Sequence, residues 1–192
     1  MRIILLRHGR PEIDLDALGK HWVTAQEFGE VVRAYETSSL DAQTSPSISA
    51  LELSSSIQTS FCSDLERAKD SCVRLGEALR PTVDPAFNEA GMPYTEGKLI
   101  RLPIKIWSLL FRVRWLYGFD QNAVSIEQTK QRAEHAATIL ADAAAEHDEV
   151  LLVGHGIFNR FIGNELRKQH WNFMASNGEG YWSYSVFEKH QL

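Results

Sequence analysis

Two stretches of this chain end in the same way. Leu5-Leu6-Arg7-His8-Gly9 and Leu152-Val153-Gly154-His155-Gly156 each run from an apolar segment into a histidine followed by glycine. An imidazole can serve as acid, base, metal ligand or nucleophile near neutral pH, and a neighbouring glycine lets a ligand approach the backbone closely. A metal ion is the obvious partner for two histidines. Arg7 adjoins His8, however, and a guanidinium beside a cation costs Coulomb energy in a low-dielectric site. Its planar fork of donors suits a tetrahedral oxyanion instead, and phosphate is the natural guess. An imidazole nitrogen can attack phosphorus to give a phosphohistidine, which splits one difficult displacement into two easier ones if cations neutralise the equatorial oxygens.

Elements must hold these residues. Met1 to Arg7 and Glu149 to Gly154 are almost continuously apolar, the mark of strands buried on both faces. Ligands in open α/β sheets bind beyond the carboxyl ends of strands, so the two imidazoles point at the usual site. Ile57 to Cys62 reads as a third strand and Tyr181 to Phe187 as a late one, antiparallel or at an edge. Ser63-Asp64-Leu65-Glu66 has the pattern of a capping box opening a helix that runs to Arg80 and is stopped by Pro81. Ser125-Ile126-Glu127-Gln128 opens a second helix, to about His147, with Ile126, Ala133, Ala136, Ala137 and Leu140 towards the core. Half of residues 37–60 are Ser or Thr, which reads as an irregular surface excursion. Short β-rich runs alternating with helical segments predict an α/β fold, three layers with a mostly parallel central sheet.

The 192 residues fit a single domain, and 44% hydrophobic with 23% charged residues excludes disorder as the main state. Twenty Lys and Arg against 25 Asp and Glu leave a net charge of −5, which argues against nucleic acid as partner. Cys62 and Cys72 cannot form a disulfide framework and show no zinc spacing, so a reducing cytoplasm fits best. The apolar run Ile3 to Leu6 is too short for a signal peptide or a transmembrane segment.

Arg7-His8-Gly9, then Ser63-x-Leu65-x-Arg67-Ala68, Asn88-Glu89 and Gly154-His155-Gly156 resemble, in order and rough spacing, the histidine phosphatase superfamily with its phosphoglycerate mutase-like fold. The resemblance spans nearly the whole chain. It implies that His8 is the nucleophile and transient phosphoryl carrier, that Arg7 and Arg67 bind the phosphoryl oxygens, and that His155 is a second phosphate contact. Arg67, in the first turn of a helix, also sits where backbone N–H groups and the dipole favour an anion. Glu89 matches the family's general acid and base, with Glu96 as a weaker alternative. Two positions depart from the pattern. Arg10 stands where many members have an acid, and Asp14 stands where an asparagine helps hold phosphate. An aspartate there would repel phosphate unless it turns away or pairs with a cation, and Arg10 is a candidate to take over the contact.

The resemblance thus implies a metal-independent phosphomonoesterase for a small phosphorylated metabolite, with no cofactor. Mutase-type phosphoryl transfer and a non-catalytic phospho-ligand binder are the alternatives, and oligomeric state, a homodimer included, is left open. Residues 98–122 differ chemically from the rest. Lys98 to Phe119 carry Lys98, Arg101, Lys105, Arg112 and Arg114 with no acid, and five aromatic residues. If helical, Arg101, Lys105, Ser108 and Arg112 form one polar stripe. The segment reads either as a buried helix with a solvated stripe, as a substrate-facing lid-like insertion, or as a docking element for an anionic membrane or partner.

Overall fold

The computed structural model describes residues 1–76 and 79–190. Its centre is a six-stranded sheet. Arg2–Arg7 (β1) lies in parallel register with Glu149–Gly154 (β6), which pairs in turn with Thr59–Cys62 (β3) and that with Thr82–Val83 (β4), all parallel. The other side of β1 takes Tyr184–Glu188 (β8) antiparallel, and Asn172–Ser176 (β7) forms the edge beyond it. The strand order is β4-β3-β6-β1-β8-β7.

Strand alternation divides the apolar residues between two helical layers. Ile3, Leu5, Val150 and Leu152 face Ile126–His147 (α5) and Gly156–Lys168 (α6), meeting Ala136, Leu140, Phe158 and Ile162 in one cluster. Ile4, Leu6, Leu151 and Val153 face Ile48–Ser55 (α2) and Glu66–Leu75 (α3), where Ala50, Cys72 and Leu75 lie. A third cluster stands apart from the sheet. There Ala25–Glu36 (α1) contributes Phe28 and Val32, and Ile104–Leu116 (α4) contributes Ile104 and Phe111, beside the small antiparallel pair Trp22–Thr24 (β2) and Arg101–Pro103 (β5).

The helix at Ser125 forms its capping box, with Ser125 accepting from Gln128 N–H and Gln128 reaching back to the Ser125 N–H. The box expected at Ser63 does not form. The helix starts two residues later with Leu65 in the cap position, because the Ser63 hydroxyl donates to Asn88 Oδ1 and also meets His155. The helix ends at Leu75, short of the expected Arg80, because Gly76 turns the chain out at a φ of 146°; Leu79 and Arg80 are not helical, and Glu77 and Ala78 lie outside the described residues. Residues 37–60 are not wholly irregular, since they contain α2, capped by Ser47. The late strand is antiparallel but interior, and β7 takes the edge instead.

Candidate active site

Because β1 and β6 lie side by side in parallel, the turns after them bring His8 and His155 together, with ring centroids 4.9 Å apart and both rings fully buried. The His8 Nδ1 is 2.6 Å from the Gly9 carbonyl oxygen. A carbonyl can only accept, so in the neutral ring Nδ1 carries the proton and Nε2 presents its lone pair. Arg67 Nε donates to that Nε2 at 3.3 Å. Burial first, then the neighbouring Arg67 and Arg7 cations, hold the His8 pKa well below its ordinary 6.5, against an opposing pull from the Gly9 hydrogen bond.

His155 is fixed the other way round. Asn88 Oδ1 accepts from both the Asp64 N–H and the Ser63 hydroxyl. The hydroxyl has then spent its one proton, so His155 Nε2, 2.8 Å from Ser63 Oγ, must be the donor. Its Nδ1 is buried without a partner, as are Arg7 Nε and Arg67 Nη2. The two arginine N–H groups mark a place where an oxyanion's acceptors are missing, and the unprotonated His155 Nδ1 joins them as a donor only when the ring takes up a second proton. Burial and the cationic neighbours, His8 among them when charged, push the His155 pKa well below 6.5 as well.

The arginines are held from behind. Arg67, 1% exposed, donates through Nη1 to the Tyr35 and Glu36 carbonyls at the C-terminal end of α1, where a helix favours a cation. Arg7 donates to the Glu179 carbonyl and lies 4.2 Å from the centre of the Tyr181 ring. Gly156 lets it lie against the start of α6, since a Cβ there would stand 3.1 Å from Arg7 Nε. Gly9 is more tightly constrained: a Cβ would come 2.4 Å from the ring of Trp182, itself held at a left-handed φ of 61°.

Glu89 lines a cavity of about 490 Å³ together with Arg7, Arg67, Tyr35, Arg112 and Tyr181. Its carboxylate accepts from the Phe158 N–H at 2.9 Å and the Ile157 N–H at 3.4 Å, in the first turn of α6, and from its own neighbour Ala90. Glu96 does not line this cavity but a separate one with Arg33 and Lys98. Arg10 turns to Asp41 in a 2.6 Å ion pair and is not brought to the cavity. Asp14 accepts from the Tyr181 hydroxyl at 3.0 Å, so the departure from asparagine is absorbed by a hydrogen bond.

Several functional residues carried no sequence signal of their own. Arg132 on α5 donates to the carbonyls of Ala86, Asn88 and Glu89, clamping the loop that bears the carboxylate. Tyr35 and Tyr181 reach the site from two further segments, whereas Ser63 and Asn88, both within the sequence motifs, bond to each other beside it. The stripe expected from a helix over residues 101–112 forms only in part, because α4 begins at Ile104 and Arg101 lies on β5, paired with Glu27; on α4 Lys105 is exposed, and Ser108 and Arg112 line the cavity. Among the described residues, no group of three or more His, Cys, Asp or Glu side chains is disposed to hold a metal ion.

Residues 43–191 match the family model of the histidine phosphatase superfamily (branch 1), a stretch that includes Arg67, Glu89 and His155 but begins after Arg7 and His8. A mycobacterial glucosyl-3-phosphoglycerate phosphatase solved with VO3 is similar at 20% identity and a TM-score of 0.61, over 96% of this chain and 91% of that one. A putative alpha-ribazole-5'-P phosphatase from Escherichia coli is similar at 18% identity and a TM-score of 0.61, over 100% and 92%. An open reading frame product of Mycobacterium tuberculosis gives 18% identity and a TM-score of 0.61, over 96% and 89%. At these identities the likeness is one of fold. No curated protein sequence matches the chain.

Proposed function

Since the chain belongs to the histidine phosphatase superfamily, branch 1, we propose that it is a phosphomonoesterase that hydrolyses a small phosphorylated metabolite through a phosphohistidine on His8, without a metal ion. The observation that carries this reading is the Nδ1–H bond to the Gly9 carbonyl, which leaves the Nε2 lone pair as the nucleophile. In the first step Nε2 attacks phosphorus, the P–O ester bond breaks, and Glu89 gives a proton to the departing alkoxide oxygen. In the second, Glu89 takes a proton from water as its oxygen attacks phosphorus, the P–N bond breaks, and its electron pair returns to Nε2. Arg7, Arg67 and His155 bind the equatorial oxygens: Arg7 Nε and Arg67 Nη2 are donors still free to do so, and His155 Nδ1 donates once the bound phosphoryl dianion brings a second proton onto the ring.

The cavity of about 490 Å³ is open to solvent on one side, and its wall holds apolar Val32, Leu65 and Met92 beside Arg112. Arg112 is partly buried and donates to the Gly91 carbonyl, so a substrate carrying a second anionic group would find a partly desolvated guanidinium there. The named phosphatases of similar fold act, by their descriptions, on phosphorylated small molecules, in line with this reading. The test is a brief incubation with a radiolabelled aryl phosphate followed by an alkaline quench. Label that survives alkali, is lost in acid and maps to His8 is the expected result, and His8→Ala loses both label and turnover. Undiminished turnover by His8→Ala overturns the mechanism.

A further inference from the structure

Helix α4 has two unlike faces. Its inner side seats Ile104, Phe111 and Trp115 in the core and turns Ser108 and Arg112 to the cavity. Its outer side carries Ile106, Leu109, Leu110, Val113, Leu116 and Tyr117, spaced so that they form one stripe along the helix. These are uncovered: Leu109 is 60% exposed, Leu116 57% and Tyr117 88%. Further apolar residues are uncovered before the helix start: Leu99 is 98% exposed, and Trp22, paired with Pro103 across β2 and β5, is 62% exposed. An apolar surface of this extent on a chain with a full core marks an interaction site.

The charges around it identify the occupant. Exposed Lys105 and Arg114 fall on opposite flanks of the stripe, about 100° of helix turn or less from its edges. Exposed Lys98 precedes it, and exposed Lys20 follows Gly19, which packs on Lys105. Lys98 to Phe119 contain no acid, although the whole chain has a net charge of −5. The acidic remainder would be repelled by an anionic surface, whereas this face would be attracted. A second copy of the chain would set two acid-free basic segments against each other. We propose that the outer face of α4 docks on an anionic lipid bilayer, with the leucines entering the acyl boundary, Trp22 at headgroup level and the lysines and Arg114 on the lipid phosphates. The inner face of the same helix walls the cavity, so docking would bring the cavity close to the headgroups. The proposal uses neither His8 nor Glu89 and stands independently of the catalytic reading.

Flotation of the full chain with two kinds of vesicle tests it: pure phosphatidylcholine, and phosphatidylcholine with about a third phosphatidylglycerol. The expected result is binding to the anionic vesicles alone, falling as salt rises. Leu109→Glu with Leu116→Glu should weaken binding at least about tenfold while leaving circular dichroism and aryl phosphate turnover unchanged, and Lys105→Glu with Arg114→Glu should also reduce it. Failure of the parent chain to float with anionic vesicles overturns the proposal, as does equal flotation of the leucine variant. A dimer in sedimentation that Leu109→Glu with Leu116→Glu splits overturns it too, since a second copy would then cover the stripe.

Discussion

At the scale of the residue, the two histidines pay for their burial in acid. Each has a folded pKa pushed below the ordinary 6.5 by desolvation first and neighbouring cations second. The unfolded chain therefore binds more protons than the folded one below that value, and folded stability falls as pH drops through about 6.5 toward the lowered values. Above 6.5 the contribution is fully present. Melting temperature measured from about pH 8 to about pH 5 should fall, and should fall less steeply in His155→Asn than in the parent chain. Parallel curves for the two would refute the linkage. Both histidines were legible because each ends an apolar strand before glycine, a pattern carried by adjacent residues. Tyr181 was not, since its value comes from Arg7 and Asp14, far from it in the chain.

Two serines written in the same local pattern do different work at the scale of the element. Ser125 caps α5 through a complete box, and Ser125→Ala should cost about 1 kcal/mol of stability while leaving turnover unchanged. Ser63 stands in the same capping-box pattern, with Glu66 where Ser125 has Gln128, but bonds to Asn88 and His155, so Ser63→Ala should lower turnover by roughly tenfold or more through loss of the His155 tautomer. Thermal melts and steady-state rates on the two variants check the contrast. A local motif cannot tell these apart, because the competitor for the Ser63 hydroxyl arrives from residues 88 and 155. The same limit hid β7, whose residues are all exposed and lack a buried-strand signature. The long apolar strands and the Ala-rich α5 were readable because their pattern repeats along one segment.

The whole molecule divides its core unequally. Leu140 belongs to the cluster under the sheet, whereas Phe111 belongs to the cluster that α1 and α4 make beside it. Leu140→Ala should lower global stability by roughly 2–5 kcal/mol. Phe111→Ala should speed hydrogen exchange in α1 and α4 while the amides of β1 and β6 keep their protection. Uniform loss of protection in Phe111→Ala would mean one cooperative unit instead of two. Layering and parallel order followed from strand and helix alternation, and the late antiparallel strand was read as well, but its edge partner was not, since the five residues NFMAS show neither alternation nor a long apolar run. The pairing of β1 also sets a timetable. Arg2 meets Glu149 across 147 residues, and the opposite flank of β1 waits for still later Tyr184–Glu188. On a ribosome adding about 5–20 residues per second, the first apolar segment emerges many seconds before either neighbour exists. During synthesis that nascent segment is a stretch for a chaperone to hold, and the setting of the histidine behind it is complete only once residues 184–188 have been made.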